Sequence, residues 1–322
     1  MNPLRFALEH YVNAAAETLA AAAPCSVVKV SSFVEPSQRK GGRIGWILDY
    51  VEALWKARTA DVVIVAWPVL GAIDAVILAL LPGQAKRYIV YHDPRPLVRS
   101  IGYGRVSRKV AGLLPAKRMP IAIVHSLAAE FDLKVDLPTL QTYHLPHPTM
   151  SGERTAGTSS RDRAIRVVGQ FKPDRDVETL ELIGEQLASA GYSLEIIGRG
   201  WPQVRGWRVR PEFVPEDELT VLIQSARLVI VPYRRYYQSG IALRCIESRT
   251  PFIAPCTGGL AELLPEQSKF LYSKNDWSRA VTFALSEEAG GEITRIAEEL
   301  SQAASARYSQ FARVALERRV VE

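Results

Sequence analysis

The sequence predicts an α/β protein made of two doubly wound parallel-sheet units, on three observations. Short continuous runs of β-branched and apolar residues, such as Asp61–Trp67, Arg87–Tyr91 and Leu228–Val231, recur along the chain. Runs of this length without polar alternation mark strands buried on both faces. Each is followed by a polar or helical segment, the alternation of successive β-α-β units. Finally, 322 residues exceed one ordinary core, and the polar stretch 151–163 (SGERTAGTSSRDR) has no apolar periodicity. The expected division is residues 1–150, a linker at 151–163, and 164–322 with C-terminal helices.

Taken in order, Leu4–Leu8 and Ser26–Val30 read as short apolar strands separated by an alanine-rich helix, Val12–Ala22. Ile44–Ala57 carries Ile44, Ile47, Leu48, Val51, Leu54 and Trp55 at helical spacing. Strands Asp61–Trp67, Arg87–Tyr91 and Ile121–His125 complete the first unit. The second opens with strand Ala164–Val168, helix Val177–Ala190 and strands Ser193–Ile197 and Trp207–Val209. Helix Pro215–Ser225, strand Leu228–Val231, helix Ile241–Glu247 and strand Pro251–Ala254 follow, and Asp276–Glu322 is helical by composition. Two such units joined by a linker predict a cleft between the carboxyl ends of their strands.

Composition excludes several classes. With 48% hydrophobic and 23% charged residues the chain is neither disordered nor fibrous. The longest apolar run, Ala75–Pro82, is far short of a membrane span, and Glu9 and Glu17 interrupt the N-terminal alanines, which argues against a signal peptide. Three distant cysteines give neither a metal spacing nor a disulfide framework, which points to the reducing cytoplasm. Cys256 reads as a small buried residue or a reactive thiol. The net charge of +6 falls entirely in residues 1–150, with 17 basic against 11 acidic residues. Arg95, Arg99, Arg105, Arg108, Lys109, Lys117 and Arg118 lie between Asp93 and Glu130 with no acid among them. That stretch is a solvated face or a surface for an anionic acceptor, an anionic membrane or nucleic acid. Only Tyr103 interleaves its cations, too little stacking for nucleic acid. Together with Arg39-Lys40-Gly41-Gly42-Arg43 before Ile44, Trp46 and Ile47, it predicts peripheral docking on the inner face of a membrane.

The chemistry-bearing motifs sit at strand ends. Leu228–Pro232 leads into Tyr236-Tyr237-Gln238-Ser239-Gly240 and a helix. Ser239 suits an N-cap, Gly240 permits close backbone approach, and a helix N-terminus attracts a diphosphate. Glu247, eight residues on, can accept hydrogen bonds from sugar or ribose hydroxyls. Gly169 ends a strand and is followed by Lys172 and Arg175, cations suited to phosphate. Asp174-Arg175-Asp176 has the spacing of a divalent-metal pair. Gly198-Arg199-Gly200 forms a Gly-x-Gly turn. In the first unit His92-Asp93-Pro94 and His125-Ser126 lie at strand ends, and His144-Leu145-Pro146-His147-Pro148 leads to the linker; no histidine spacing supports metal ligation.

Together these segments resemble the GT-B-fold, retaining nucleotide-sugar glycosyltransferases of the group 1 (family 4) type. The resemblance is strongest over 165–263, weaker over 86–148 and slight over 1–60. It implies two Rossmann-like domains facing a cleft and transfer of a sugar from a nucleoside-diphosphate sugar to a glycan or lipid-linked acceptor, without metal or other cofactor. It places Gly169, Gly198, Gly200, Tyr237, Gln238, Ser239, Gly240 and Glu247 on the donor. Val214–Leu219 matches the segment that frames the nucleobase. His92, Asp93, Lys172 and Arg175 would carry catalysis, with His125, Ser126 and His147 on the acceptor side. Where the family carries its first glutamate this chain has Ser239. The first strand also lacks the usual glycine-rich turn. A sugar-nucleotide epimerase of the same architecture and a non-catalytic sugar-nucleotide-binding protein are the alternative readings.

Overall fold

The computed structural model describes residues 1–3, 8–30, 42–96, 100–148, 161–234, 237–273 and 276–317. They form two compact units, Met1–Thr149 with Gln302–Glu322, and Met150–Ser301.

In the first unit, helices α1 (Glu9–Ala22) and α2 (Gly42–Ala57) precede β1 (Val62–Val65), α3 (Ala72–Leu80), β2 (Lys86–Val90), α4 (Arg105–Gly112), β3 (Ile121–Val124), α5 (Leu127–Asp136) and β4 (Thr142–His144). The four strands pair in chain order, all parallel, with Val63 opposite Arg87 and Ile89 opposite Ala122. Tyr88, Val90 and Ile123 point to one face and pack against Tyr11, Val12, Ala15 and Leu19 of α1. Tyr91, of opposite parity on β2, reaches Gly71 ahead of α3.

The second unit contains β5 (Ala164–Val168), α6 (Val177–Leu187), β6 (Ser193–Ile197), β7 (Arg208–Arg210), α7 (Glu216–Ser225), β8 (Leu228–Ile230), α8 (Gly240–Glu247), β9 (Phe252–Pro255), α9 (Gly258–Leu263), β10 (Leu271–Tyr272), α10 (Trp277–Leu285) and most of α11 (Glu288–Leu316). Its parallel sheet runs β10-β9-β8-β5-β6-β7. Ile165, Val167, Ile196, Val229 and Ile253 are wholly buried in one apolar cluster. Burying each such side chain stabilises the unit by about 1.5–3 kcal/mol. The chain leaves β5 toward β6 and β7, then returns to lay β8 on the opposite side of β5. That reversal opens a crevice beyond the carboxyl ends of β5 and β8, the place where open α/β sheets bind ligands.

Several expectations are corrected. Residues 26–30 form no strand; Ser26–Lys29 are exposed, and Val30 only accepts a backbone hydrogen bond from Asn2. Residues 4–7 of the other expected N-terminal strand lie outside the described residues, and Leu8 is the cap position of α1. The C-terminal helices do not all belong to the second unit. Tyr308, Phe311 and Ala315 of α11 complete the apolar core around Tyr88 and Tyr143 of the first. Trp46, expected beside the docking cations, is buried and stacked on Tyr50 at 5.3 Å; Ile44, Leu48, Val51 and Trp55 of the same helix are exposed. Arg39, Lys40 and Gly41 lie outside the described residues. Cys256 is exposed rather than buried, because it follows the last residue of β9.

Candidate functional site

The crevice of the second unit gathers most of the donor-side residues. Gly169 follows β5 with φ 101°, a left-handed conformation that glycine adopts without penalty. Its N–H bonds to the Ile197 carbonyl, and its own carbonyl accepts from Trp201 Nε1 at 2.8 Å. Gly198 is packed against this turn so tightly that a Cβ there would stand 2.1 Å from the Gly169 oxygen. Gly200 has φ 80°, and the Arg199 carbonyl accepts from the Phe171 N–H. The two glycine turns are therefore one backbone-to-backbone assembly.

Arg175 lies beneath it. A Cβ on Gly169 would meet Arg175 Nη2 at 3.6 Å and Ile241 Cγ1 at 4.0 Å, so the glycine, the guanidinium and the first turn of α8 converge. Arg175 is 7% exposed; Nη2 donates to the Gln170 carbonyl at 2.9 Å, and the guanidinium lies 3.7 Å from the centre of the Tyr233 ring. Its Nε and Nη1 are buried with no hydrogen-bond partner among the described residues. Burial away from water lowers its pKa, the sign of a cation held where its solvation is poor.

Ser239 caps α8, its Oγ accepting from the Ala242 N–H at 3.2 Å. The helix begins at Gly240, where an added Cβ meets nothing within 4 Å, so the N-terminus is sterically open. The first N–H groups of a helix have no intrahelical acceptors. Tyr237 is buried and Gln238 half-buried just before the cap. Glu247, the last residue of α8, is half-buried about 12 Å along the helix axis from the cap. Lys172 is exposed on the same loop as Arg175. Asp176 is a helix cap: Oδ1 accepts from the Thr179 N–H and Arg234, and Oδ2 from the Thr179 hydroxyl. No group of three or more metal-ligating side chains occurs among the described residues.

The acceptor-side residues of the first unit meet in an aromatic cluster. The His92, His125 and His147 rings lie 5.1 to 6.3 Å apart around Tyr11. Each imidazole reaches a backbone carbonyl: His92 Nε2 to Ala66 at 3.1 Å, His125 Nδ1 to Leu145 at 2.7 Å and His147 Nδ1 to Pro148 at 2.9 Å. Carbonyls only accept, so those nitrogens carry the protons. His125 Nε2 then accepts from the Tyr11 hydroxyl. Burial pushes the His125 pKa down to about 4 and that of His147 well below its ordinary value, so both are neutral at pH 7. Ser126 is the buried N-cap of α5, accepting from the Ala129 N–H. Asp93 is half-buried beside His92. Sequence reasoning missed Trp201, Tyr233, Tyr11 and Trp67 as site residues; the local signals were the Gly-x-Gly turn just before Trp201 and, for Trp67 and Tyr233, a position two or three residues past a strand.

No protein-family model matches the chain, and no curated protein matches it. Solved structures do. The chain is similar to sucrose-phosphate synthase from Thermosynechococcus elongatus, with a TM-score of 0.61 and 16% identity over 95% of this chain and 92% of that one. It is also similar to a glycosyltransferase from Rickettsia africae (TM-score 0.58, 9% identity, 87% and 84% of the two chains). Against TarM the TM-score is 0.51 at 12% identity over 86% of this chain, which spans only 55% of TarM. The fold resembles that of the GT-B glycosyltransferases. The parallel sheets and the order reversal in the second unit are its Rossmann-like features.

Proposed function

We propose that the protein is a glycosyltransferase that moves a sugar from a nucleoside-diphosphate sugar to a hydroxyl of a glycan or lipid-linked acceptor, with retention. The observation that carries this reading is the buried, incompletely paired Arg175 beside Gly169 and the open N-terminus of α8. A diphosphate supplies the negative charge that this arrangement lacks, from Arg175, the helix dipole and, at the rim, Lys172. Charge developing on the leaving diphosphate is stabilised by the same groups, which is electrostatic catalysis by positioning. Gly198 and Gly200 hold the turn, and in this reading Glu247 accepts hydrogen bonds from the ribose hydroxyls. A TarM variant in complex with UDP and α-GlcNAc-glycerol fits this substrate class.

His125 and His147 carry no charge to contribute in this reading; with His92 they serve as a rigid floor on the acceptor side, and the leaving phosphate takes the acceptor proton. Thermal stabilisation across nucleoside diphosphates, nucleosides and nucleotide sugars tests donor binding. Release of diphosphate on addition of glycan or lipid-linked acceptors tests transfer. Isomerisation of the sugar nucleotide without acceptor identifies an epimerase, and binding without turnover a non-catalytic protein.

Helix α4 supports attachment to an anionic membrane surface. Only Ala111 of its residues is buried; Val106 is 77% and Leu113, just beyond it, 83% exposed, beside exposed Arg105 and Lys109. Lys117 and Arg118 extend the basic face, whereas Arg95 and Arg108 are paired with Asp132 and Asp136 of α5. Each free cation near an anionic leaflet contributes about 1 kcal/mol. No helix among the described residues is long and apolar enough to cross a membrane. Salt-sensitive co-sedimentation with anionic vesicles, but not neutral ones, is the expected result; binding indifferent to lipid charge refutes it.

A further inference from the structure

We propose that Trp67 is a sugar-stacking platform in the first unit, its indole taking the apolar face of a pyranose ring of the acceptor. This rests on the glycosyl-transfer reading for its biological sense and names the chemical class of the acceptor's contacting part.

The position comes from the sheet. The Met1 carbonyl accepts from the Ala66 N–H just past β1, and the Asn2 N–H donates to Val30 on its other side. Residues 1–3 therefore lie between residue 30 and β1, while β2, β3 and β4 extend from the far side of β1. The carboxyl ends of these parallel strands, where the chain leaves β1, are the side on which open α/β sheets bind ligands. Trp67 is among the first residues after that strand.

The side chain is held flat and kept from sinking inward. Its ring is stacked on His92 with centroids 5.3 Å apart and planes 19° from parallel. His92 is 4% exposed, tethered to Ala66 and braced by the edge of Tyr11 at 4.5 Å. Trp67 itself is half-buried, and His92 is the one aromatic ring stacked on it among the described residues.

The loop that carries it is braced from four directions. The Tyr103 hydroxyl donates to the Pro68 carbonyl at 2.9 Å and the Tyr91 hydroxyl to that of Gly71 at 3.3 Å. The Leu70 N–H donates to buried Asp74. Gly102 lies so close that a Cβ there would stand 1.7 Å from the Leu70 oxygen. A large aromatic face fixed by its neighbours is preorganised, so little ordering entropy is lost on binding. A pyranose has a polar rim and a face of C–H groups, and those weakly positive hydrogens suit the negative face of an indole.

The test uses the full chain labelled with 5-fluorotryptophan and read by ¹⁹F NMR. The chain has six tryptophans, and the Trp67 resonance is the one missing from Trp67→Phe. Methyl β-D-glucopyranoside, methyl β-D-galactopyranoside and methyl α-D-mannopyranoside are titrated to about 100 mM, with glycerol as the hydroxyl-rich control lacking a ring. We expect at least one glycoside to shift the Trp67 resonance saturably while glycerol does not. Read on the glycoside itself by saturation-transfer difference NMR, Trp67→Ala should weaken it about tenfold or more, and Trp67→Tyr about threefold or less. Absence of any glycoside-specific shift, or equal affinity in a folded Trp67→Ala, overturns the proposal; the Tyr variant decides the matter if the Ala variant does not fold. Nucleotide binding without a Trp67 response defeats the platform and leaves glycosyl transfer standing. A Trp67 response in a protein that binds no nucleotide does the reverse.

Discussion

Replacing Arg175 by methionine should stabilise the ligand-free protein while removing its response to diphosphates. Nε and Nη1 are buried without partners, and each unsatisfied donor costs about 1–3 kcal/mol. Methionine fills similar volume and removes both penalties. Against that, the variant loses the charged hydrogen bond from Nη2 to Gln170, worth about 1.5–3 kcal/mol, and the contact with Tyr233, worth about 0.5–2 kcal/mol. The midpoints leave roughly 0.5 kcal/mol in favour of Arg175→Met, a rise of about 1–2 °C in the melting temperature of the second unit. In the wild type, a diphosphate at about 100 times its Kd adds about 2.7 kcal/mol. Differential scanning calorimetry of both proteins, with and without UDP or GDP, reads the two effects together. A variant less stable than wild type by 2 kcal/mol or so would mean that Arg175 is a satisfied structural residue. A variant that kept its full diphosphate response would remove the anion site from this crevice.

Gly198→Ala should cost about 2 kcal/mol or more in a denaturant titration, because its Cβ has only the Gly169 backbone to push against. Gly291→Ala on α11, with nothing near its Cβ, should instead stabilise by about 0.8 kcal/mol. His125 and His147 have folded pKa values below the unfolded value of about 6.5. The unfolded state therefore binds more protons below that pH, and the stability the two contribute is lost as pH falls from about 6.5 toward 4. Asp74, pushed up to about 7 by burial, acts in the opposite sense: its contribution is full below about 4 and is lost as pH rises through 7. Asp74→Asn should gain on wild type as pH rises through that window in urea titrations; a pH-independent difference rejects a neutral buried carboxyl. Glu247→Ala should weaken nucleotide-sugar binding about 10- to 150-fold by calorimetric titration without unfolding the protein, and unchanged affinity excludes it from the site.

The local pattern was legible because it is written in neighbouring residues. Continuous β-branched runs gave β1, β2, β5 and β8 within a few residues, since burial on both faces leaves no room for polar alternation. Ser239 was readable as the cap of α8 because a short hydroxyl before a helix satisfies an otherwise unpaired N–H. The segment Ser26–Val30 was not readable: it has strand-like residues, but among the described residues Ser26–Lys29 are exposed and only Val30 takes a backbone bond from residues 1–3, so propensity alone does not make it a strand. Ser126 looked like an acceptor contact and proved to be a buried helix cap.

What the sequence by itself determined is the α/β alternation, the parallel strands and the glycines and cations at their ends. Only the tertiary structure decided the strand order, and with it the reversal that marks the crevice of the second unit. It also decided that α11 returns to the core of the first unit, that Arg175 is buried and incompletely paired, and that three histidines share one aromatic cluster. Periodicity reports the environment of a segment, whereas these facts depend on which distant segments meet. Residues 30 to 200 positions apart come together only after the whole sheet has formed, and no short window of sequence carries that information.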